Sequence, residues 1–527
     1  MTAASSLDLR DRHAVGNALE AATFDLLVIG GGITGAGIAR DAAMRGLSVA
    51  LIEAADFASG TSSRSSKMIH GGLRYLAQGE VGLVREAATE RKILRRIAPH
   101  LTEPNWFTLP SRSLGETAKL KAALIAFEAL GGVEKPNRHR VLSLAELARQ
   151  EPLMRREGLH RGLVYREYLT DDARLTLANV RAAKAAGAVV SNYLTATKVT
   201  GGAISEVHCR STLPSADGEY RIRARAVVNA AGPWVDAVRR AEDSKAGERL
   251  ALSKGVHLVF DRATLPINNT VIINTPDKRA VFAVPRGAFT YLGTTDDFYS
   301  DADYWPRVDA SDADYLLTAA RAALDAPQLS QGDIVSVWSG VRPLVKQEGK
   351  AANEISRKDE VWTGPSRMIS IAGGKLSAYR AMAARIVDMV VERLAIIARP
   401  CTTDQEPLPG GEAAATLPDT LDPVVHERLA RLYGSEAGAL LAEGGDVRAE
   451  ARRAVLIEGA MRLDDVWVRR SGRAWFDENA GLDSLPAIAE EMGTLLGWTQ
   501  AQRDAEIANC REIDWQSKAG LTLAARS

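Results

Sequence analysis

Cysteine is scarce: 527 residues contain three (Cys209, Cys401 and Cys510), each far from the others. Such spacing excludes a disulfide framework and a CxxC metal or redox motif, and it suits a reducing compartment. An excess of one charge is missing too. Lys plus Arg and Asp plus Glu each number 66, so the net charge is zero. Nucleic-acid binding, which normally shows a basic surplus, is not expected. No window offers the ~18 uninterrupted apolar residues of a membrane span. The best candidate, 386–397, is cut by Asp388, Glu392 and Arg393. The first 23 residues carry Asp8, Asp11 and Glu20 without an apolar core, so they read as an extension rather than a secretory signal. Internal repeats and low-complexity segments are absent. Residues 309–314 (DASDAD) lack the spacing and glycine of a calcium loop, and no metal site is expected.

What is present is concentrated in residues 24–53, FDLLVIGGGITGAGIARDAAMRGLSVALIE. An apolar run suited to a buried parallel strand breaks into Gly30, Gly32 and Gly35, followed by a helix-prone stretch and a second apolar strand ending on Glu53. Gly30 permits the tight turn, Gly32 lets backbone approach a pyrophosphate, and Gly35 lets helix and strand pack closely. The free N–H groups of the helix start suit phosphate. Glu53 is placed to accept from a ribose diol and disfavours a ribose phosphate, which leaves NAD or FAD.

Beyond Glu53, residues 58–67 (ASGTSSRSSK) read as a hydroxyl-rich loop, and helices are expected over 83–97, 116–130 and 172–186. Strand-like runs occupy 188–200, 222–229 and 367–372, with short β-like runs over 256–294. A Pro/Gly-rich stretch at 400–411 marks a linker, beyond which helical spacing dominates, with Thr499 and Gln502 as a capping box. The runs near 25–53, 188–229 and 367–372 are expected to share one sheet with a β-rich insertion between them.

Eight further motifs follow in order: TSSRSSKMIHGGLRYL (61–76), DDARL (171–175), VVNAAGPWVD (227–236), KGVHLV (254–259), YLGTTDD (291–297), SGVRPL (339–344), ISRKD (355–359) and IAGGKLSAYR (371–380), with LPGG at 408–411. Together they resemble the FAD-dependent glycerol-3-phosphate dehydrogenases over residues 24 to 527. The resemblance implies an α/β fold: an FAD-binding Rossmann-like domain of the glutathione-reductase/amino-acid-oxidase type, a β-rich substrate domain and an α-helical C-terminal domain. The expected division is an extension (1–23), an FAD domain (24–98, 160–250 and 346–400), a substrate domain (99–159 and 251–345), a linker (401–411) and the helical part (412–527). The last carries no visible catalytic cluster and reads as a packing or assembly module whose removal spares the flavin.

The same resemblance implies roles. Non-covalent FAD is expected on Gly30, Gly32, Gly35, Glu53, Thr61, Ser62, Ser63, Ser66, Ala231, Gly232, Gly373, Gly374, Lys375 and Leu376. The helix beginning near Leu376 would turn its positive end to the reduced flavin. For sn-glycerol 3-phosphate, Arg74, Arg342, Arg357 and Lys375 fit the phosphate, since guanidinium binds its oxygens in pairs. Tyr75 and Thr295 are neighbours, and His257 in KGVHLV is the expected base. Electrons are expected to pass to a quinone, from a cytoplasmic homodimer peripheral to the membrane. Lys119 and Lys121 beside Leu120, Leu124, Phe127 and Leu130 suit an interfacial helix, though a core-packed helix shows the same pattern and is preferred. The basic run Arg91, Lys92, Arg95 and Arg96 reads as a solvated face. Alternatives are an oxygen-using glycerol-3-phosphate oxidase, an amine or amino-acid oxidase, and a non-catalytic flavin redox sensor.

Overall fold

The computed structural model describes residues 6–70, 81–214, 218–277, 279–350 and 352–522. Two sheets organise the chain. The first holds β1 (Thr23–Ile29), β2 (Val49–Ile52), β7 (Val189–Ser191), β8 (Leu194–Thr200), β9 (Ser205–Ser211), β10 (Glu219–Asn229), β17 (Glu360–Thr363) and β18 (Ile369–Ala372). Its order is β17-β18-β10-β1-β2-β7, with the β8–β9 hairpin joined through β9 to β10. β1 runs parallel to both β2 and β10, and β10 parallel to β18. β2 and β18 are buried at every position, as uninterrupted apolar runs covered on both faces must be. Segments more than 300 residues apart thus meet in one sheet.

The second sheet holds β3 (Met68–Ile69), β4 (Glu103–Ser111), β5 (Arg140–Leu142), β6 (Arg161–Leu169), β11 (Leu250–Asp261), β12 (Thr270–Asn274), β13 (Ala280–Arg286), β14 (Phe289–Gly293), β15 (Asp297–Phe298) and β16 (Ile334–Val345). The long antiparallel pair β11–β16 sets His257 opposite Trp338, Gly255 opposite Gly340 and Ser253 opposite Arg342. That register brings KGVHLV and SGVRPL side by side at the boundary with the first sheet.

Helices beyond residue 422, including Val447–Leu456, Leu485–Leu496 and Gln500–Lys518, do not form a separable module. Trp467, Trp475, Leu485, Ile488 and Met492 share one hydrophobic core with Phe289, Tyr291 and Trp338 of the second sheet. The expectation that this part can be removed without harm is therefore corrected: deletion would strip one face of the second sheet.

Candidate active site

The first glycine turn follows β1. Gly30 sits at φ +113°, and a Cβ there would lie 2.5 Å from the Ala230 carbonyl oxygen; at Gly35 it would lie 1.9 Å from the Gly30 oxygen. Gly32 N-caps the helix Ile33–Met44. Ser62 Oγ accepts from the Ile33 N–H at 2.9 Å, and Thr61 Oγ1 donates to the Val341 carbonyl at 2.6 Å. Glu53 accepts from Gly31 N–H at 2.7 Å and Ala55 N–H at 2.9 Å. Burial raises its carboxyl above the usual range despite those bonds.

Two further turns face this one. At the end of β10, Ala231 and Gly232 (φ +54°) lead to Trp234, which stacks on Tyr304 at 4.2 Å. After β18, Gly373 and Gly374 take φ of +78° and +80°, and Lys375 precedes the turn into the helix Tyr379–Leu394. All three turns border one cavity of about 680 Å³. Backbone N–H groups, small residues and a ribose-facing acid converge there as a dinucleotide requires. The residues present fit FAD.

The far end of the same cavity is polar and mostly cationic. Arg342 donates to Thr294 Oγ1 at 2.8 Å, to the Thr295 carbonyl at 3.2 Å and to Asp296 at 3.3 Å. Arg357 donates to the other Asp296 oxygen at 2.8 Å. Burial works against an ionised Asp296, but Arg342 and Arg357 outweigh it and hold the carboxyl below its usual range. Burial lowers Arg342 to about 10, still charged at neutral pH. With Lys375 and Arg279 also on the wall, the cluster keeps an uncompensated positive charge suited to an oxyanion.

Not every expected residue faces the cavity. Ser63 is buried, with its hydroxyl on the Gly60 carbonyl at 3.4 Å, and Gly35 lies beneath the turn, where it serves packing. His257 stands one layer behind the wall. It stacks on Trp338 at 4.5 Å, and its Nε2 bonds Ser66 Oγ at 2.8 Å, so Ser66 reaches the cavity and the imidazole does not. Thr295 also points away, accepting from the Val256 N–H at 3.1 Å; Thr294 faces the cavity instead. Arg74 and Tyr75 lie outside the described residues.

The structure adds residues that sequence reasoning passed over. His70 borders the cavity; burial, with Lys375 and Arg91 adding, lowers it to about 4 and keeps the imidazole neutral. It lay inside the MIHGG motif, which was the available signal. Asp172 of DDARL accepts from buried Lys67 at 2.7 Å and from the Ser65 N–H at 2.9 Å, locking the hydroxyl-rich loop. The helix Leu114–Gly131 closes one side with Lys119, Leu120 and Ala123. Its inner Leu124 and Phe127 are buried, as the core reading expects, yet Leu114 and Ile125 on its outer side are 73% and 51% exposed. In the basic run, Arg91 is not solvated; it is buried against Glu167 at 2.5 Å.

Comparison with known proteins agrees with this geometry. Residues 25–380 match the family model "FAD dependent oxidoreductase", and residues 401–503 match "C-terminal domain of alpha-glycerophosphate oxidase". The chain is 38% identical to the aerobic glycerol-3-phosphate dehydrogenase of Staphylococcus haemolyticus, covering 95% of this chain and 96% of that one. Against its Staphylococcus aureus counterpart the identity is 39%, covering 92% of each. The glycerol-3-phosphate dehydrogenase of Bacillus halodurans, solved in complex with FAD, superposes with a TM-score of 0.80 at 33% identity, over 98% of this chain and 99% of that one.

Proposed function

Because this chain belongs to the FAD-dependent oxidoreductase family, with aerobic glycerol-3-phosphate dehydrogenases among its relatives, we propose that it oxidises sn-glycerol 3-phosphate to dihydroxyacetone phosphate. The observation that carries this reading is the single cavity joining the three glycine turns to Arg342, Arg357 and Lys375. Bound FAD supplies the two-electron acceptor for the hydride lost from C2 of the substrate. Gly30, Gly32 and the Ile33 N–H hold its pyrophosphate, Glu53 a ribose, and Gly373, Gly374, Lys375 and Leu376 the flavin end.

Arg342, Arg357 and Lys375 hold the phosphate, and Asp296 fixes the two guanidiniums in place. Fixing the phosphate orients C2, and good orientation is worth about 7–11 kcal/mol of barrier. His70, on the wall itself, takes the C2 hydroxyl proton. An arriving phosphate offsets the Lys375 charge that depresses this imidazole, so substrate raises the basicity of its own acceptor. His257 is a positioning residue that holds the Ser66 hydroxyl.

For the electrons, we favour a quinone at a membrane surface. Supporting this, the helix Leu114–Gly131 borders the cavity with one side and presents Leu114 and Ile125, beside exposed Lys119 and Lys121, with the other. Anaerobic addition of sn-glycerol 3-phosphate tests the substrate: the visible flavin band should bleach, and glycerol without phosphate should not bleach it. Bleaching by glycine or another amino acid, with none by glycerol 3-phosphate, would sink the assignment. Admitting a quinone or air to the reduced enzyme then separates dehydrogenase from oxidase, the latter recognised by peroxide.

A further inference from the structure

We infer that docking of the C-terminal helices and occupancy of the dinucleotide site are coupled through Asp56, an inference that rests on the FAD reading. Asp56 lies three residues beyond Glu53 and is 1% exposed. Its carboxylate does not border the cavity. Instead it takes Arg469 Nε at 2.5 Å and both terminal nitrogens of Arg470, one of them at 2.8 Å. Both arginines are buried and belong to the C-terminal part. They occupy Asp465–Arg470, a wide helical turn in which the Ser471 N–H reaches back to the Val466 carbonyl. Asn192 completes the junction, donating to Asp56 at 3.2 Å and to the Gly459 carbonyl at 2.8 Å.

The same loop clasps the glycine turn. Glu53 accepts from the Gly31 N–H, the Ala58 N–H donates to the Gly31 carbonyl at 3.1 Å, and the Phe57 ring would lie 2.7 Å from a Cβ at Gly31. A continuous path therefore runs from Arg470 through Asp56 and the 53–58 loop to the groups facing the pyrophosphate and ribose. Burial opposes ionisation of Asp56, and Arg470 and Arg469 overcome it. Without them a buried carboxylate is left uncompensated, and the loop must shift or take up a proton. Either response disturbs Glu53 and Gly31. Coupling of this kind is reciprocal, so FAD must in turn favour the docked C-terminal part.

A second interdomain pair supplies the control. Arg181 on the helix Asp172–Ala185 binds Glu436 through two bonds, of 2.8 and 2.6 Å, tying the same domains without touching the 53–58 loop. FAD affinity would be measured by titrating the apoproteins of wild type, D56N, R470K and E436Q, with kcat at saturating FAD alongside. Lysine cannot reproduce the paired contact of Arg470. D56N and R470K should bind FAD about 10- to 100-fold more weakly, the range typical of site-to-site coupling, with kcat at saturation unchanged. E436Q should bind as wild type does. Limited proteolysis of the full chain adds the reciprocal reading: FAD should slow cleavage within residues 423–518 in wild type, and D56N should lose that protection. Equal weakening in E436Q, wild-type affinity in D56N and R470K, or no protection by FAD would each overturn the coupling. A wild-type chain that binds no FAD would instead overturn the cofactor reading.

Discussion

Three of the eight histidines are held neutral by their surroundings, and that sets an acid limit on the fold. Burial lowers His70 and His100 to about 4 and His257 well below its ordinary value. Each folded value lies beneath the unfolded one. The stability they contribute is thus complete above about pH 6.5 and is lost as pH falls toward the folded values. Each such histidine should steepen the loss by up to about 1.4 kcal/mol per pH unit. Urea midpoints measured from pH 7.5 to 5 should fall on acidification, and H100N should flatten that slope; an unchanged slope would refute the assignment. At this scale the sequence was legible for residue type and less so for direction. KGVHLV singled out His257 but could not show that Ser66 stands between it and the cavity. Thr294 and Thr295 differ by one step of extended backbone, which reverses the side faced. The glycine turns were readable because steric need is local: no larger residue fits beside the Gly30 carbonyl.

Among the elements, the helix Leu114–Gly131 resisted a sequence reading because it is apolar on more than one side. Its caps were plain: Ser113 accepts from the Glu116 N–H at 3.1 Å, and Gly132 adopts φ +54° after the last turn. The two faces separate by experiment. Phe127→Ala should cost about 3–5 kcal/mol of stability, because Phe127 packs edge-on against Tyr165 at 6.2 Å in the core. By contrast, Ile125→Ser with Lys119→Glu and Lys121→Glu should leave the melting temperature nearly unchanged and weaken flotation with anionic phospholipid vesicles. Vesicle binding as strong as wild type would remove this helix from any membrane contact. The β11–β16 pairing was beyond sequence reading for another reason. Its partners lie about 80 residues apart, and nothing local to KGVHLV specifies SGVRPL as its neighbour.

For the whole molecule, the order of motifs revealed more than the composition. Apolar runs marked the strands of the first sheet, and the glycine turns marked where that sheet meets a ligand. Hidden from the sequence was how deeply the C-terminal part is built in, since helical spacing looks alike in a separate module and in a helix that completes a distant core. Trp467 and Trp475 are nearly solvent-free, and the Trp475 carbonyl accepts from Ser336 Oγ at 2.8 Å. A chain ending at residue 411 should therefore be insoluble or bind no flavin when expressed. Recovery of a yellow, monodisperse fragment would contradict this account.

The parallel sheet also imposes a timetable. β1 emerges from the ribosome near residue 29, whereas β18, which completes the row beside β10, follows about 340 residues later. At about 5–20 residues per second, the nascent glycine turn waits roughly 20–70 s for its last neighbour. During that interval the open flank of β10 is a ready template for wrong pairing. Synthesis of this protein should accordingly depend on chaperone supply and on the pace of translation more than its final stability would suggest.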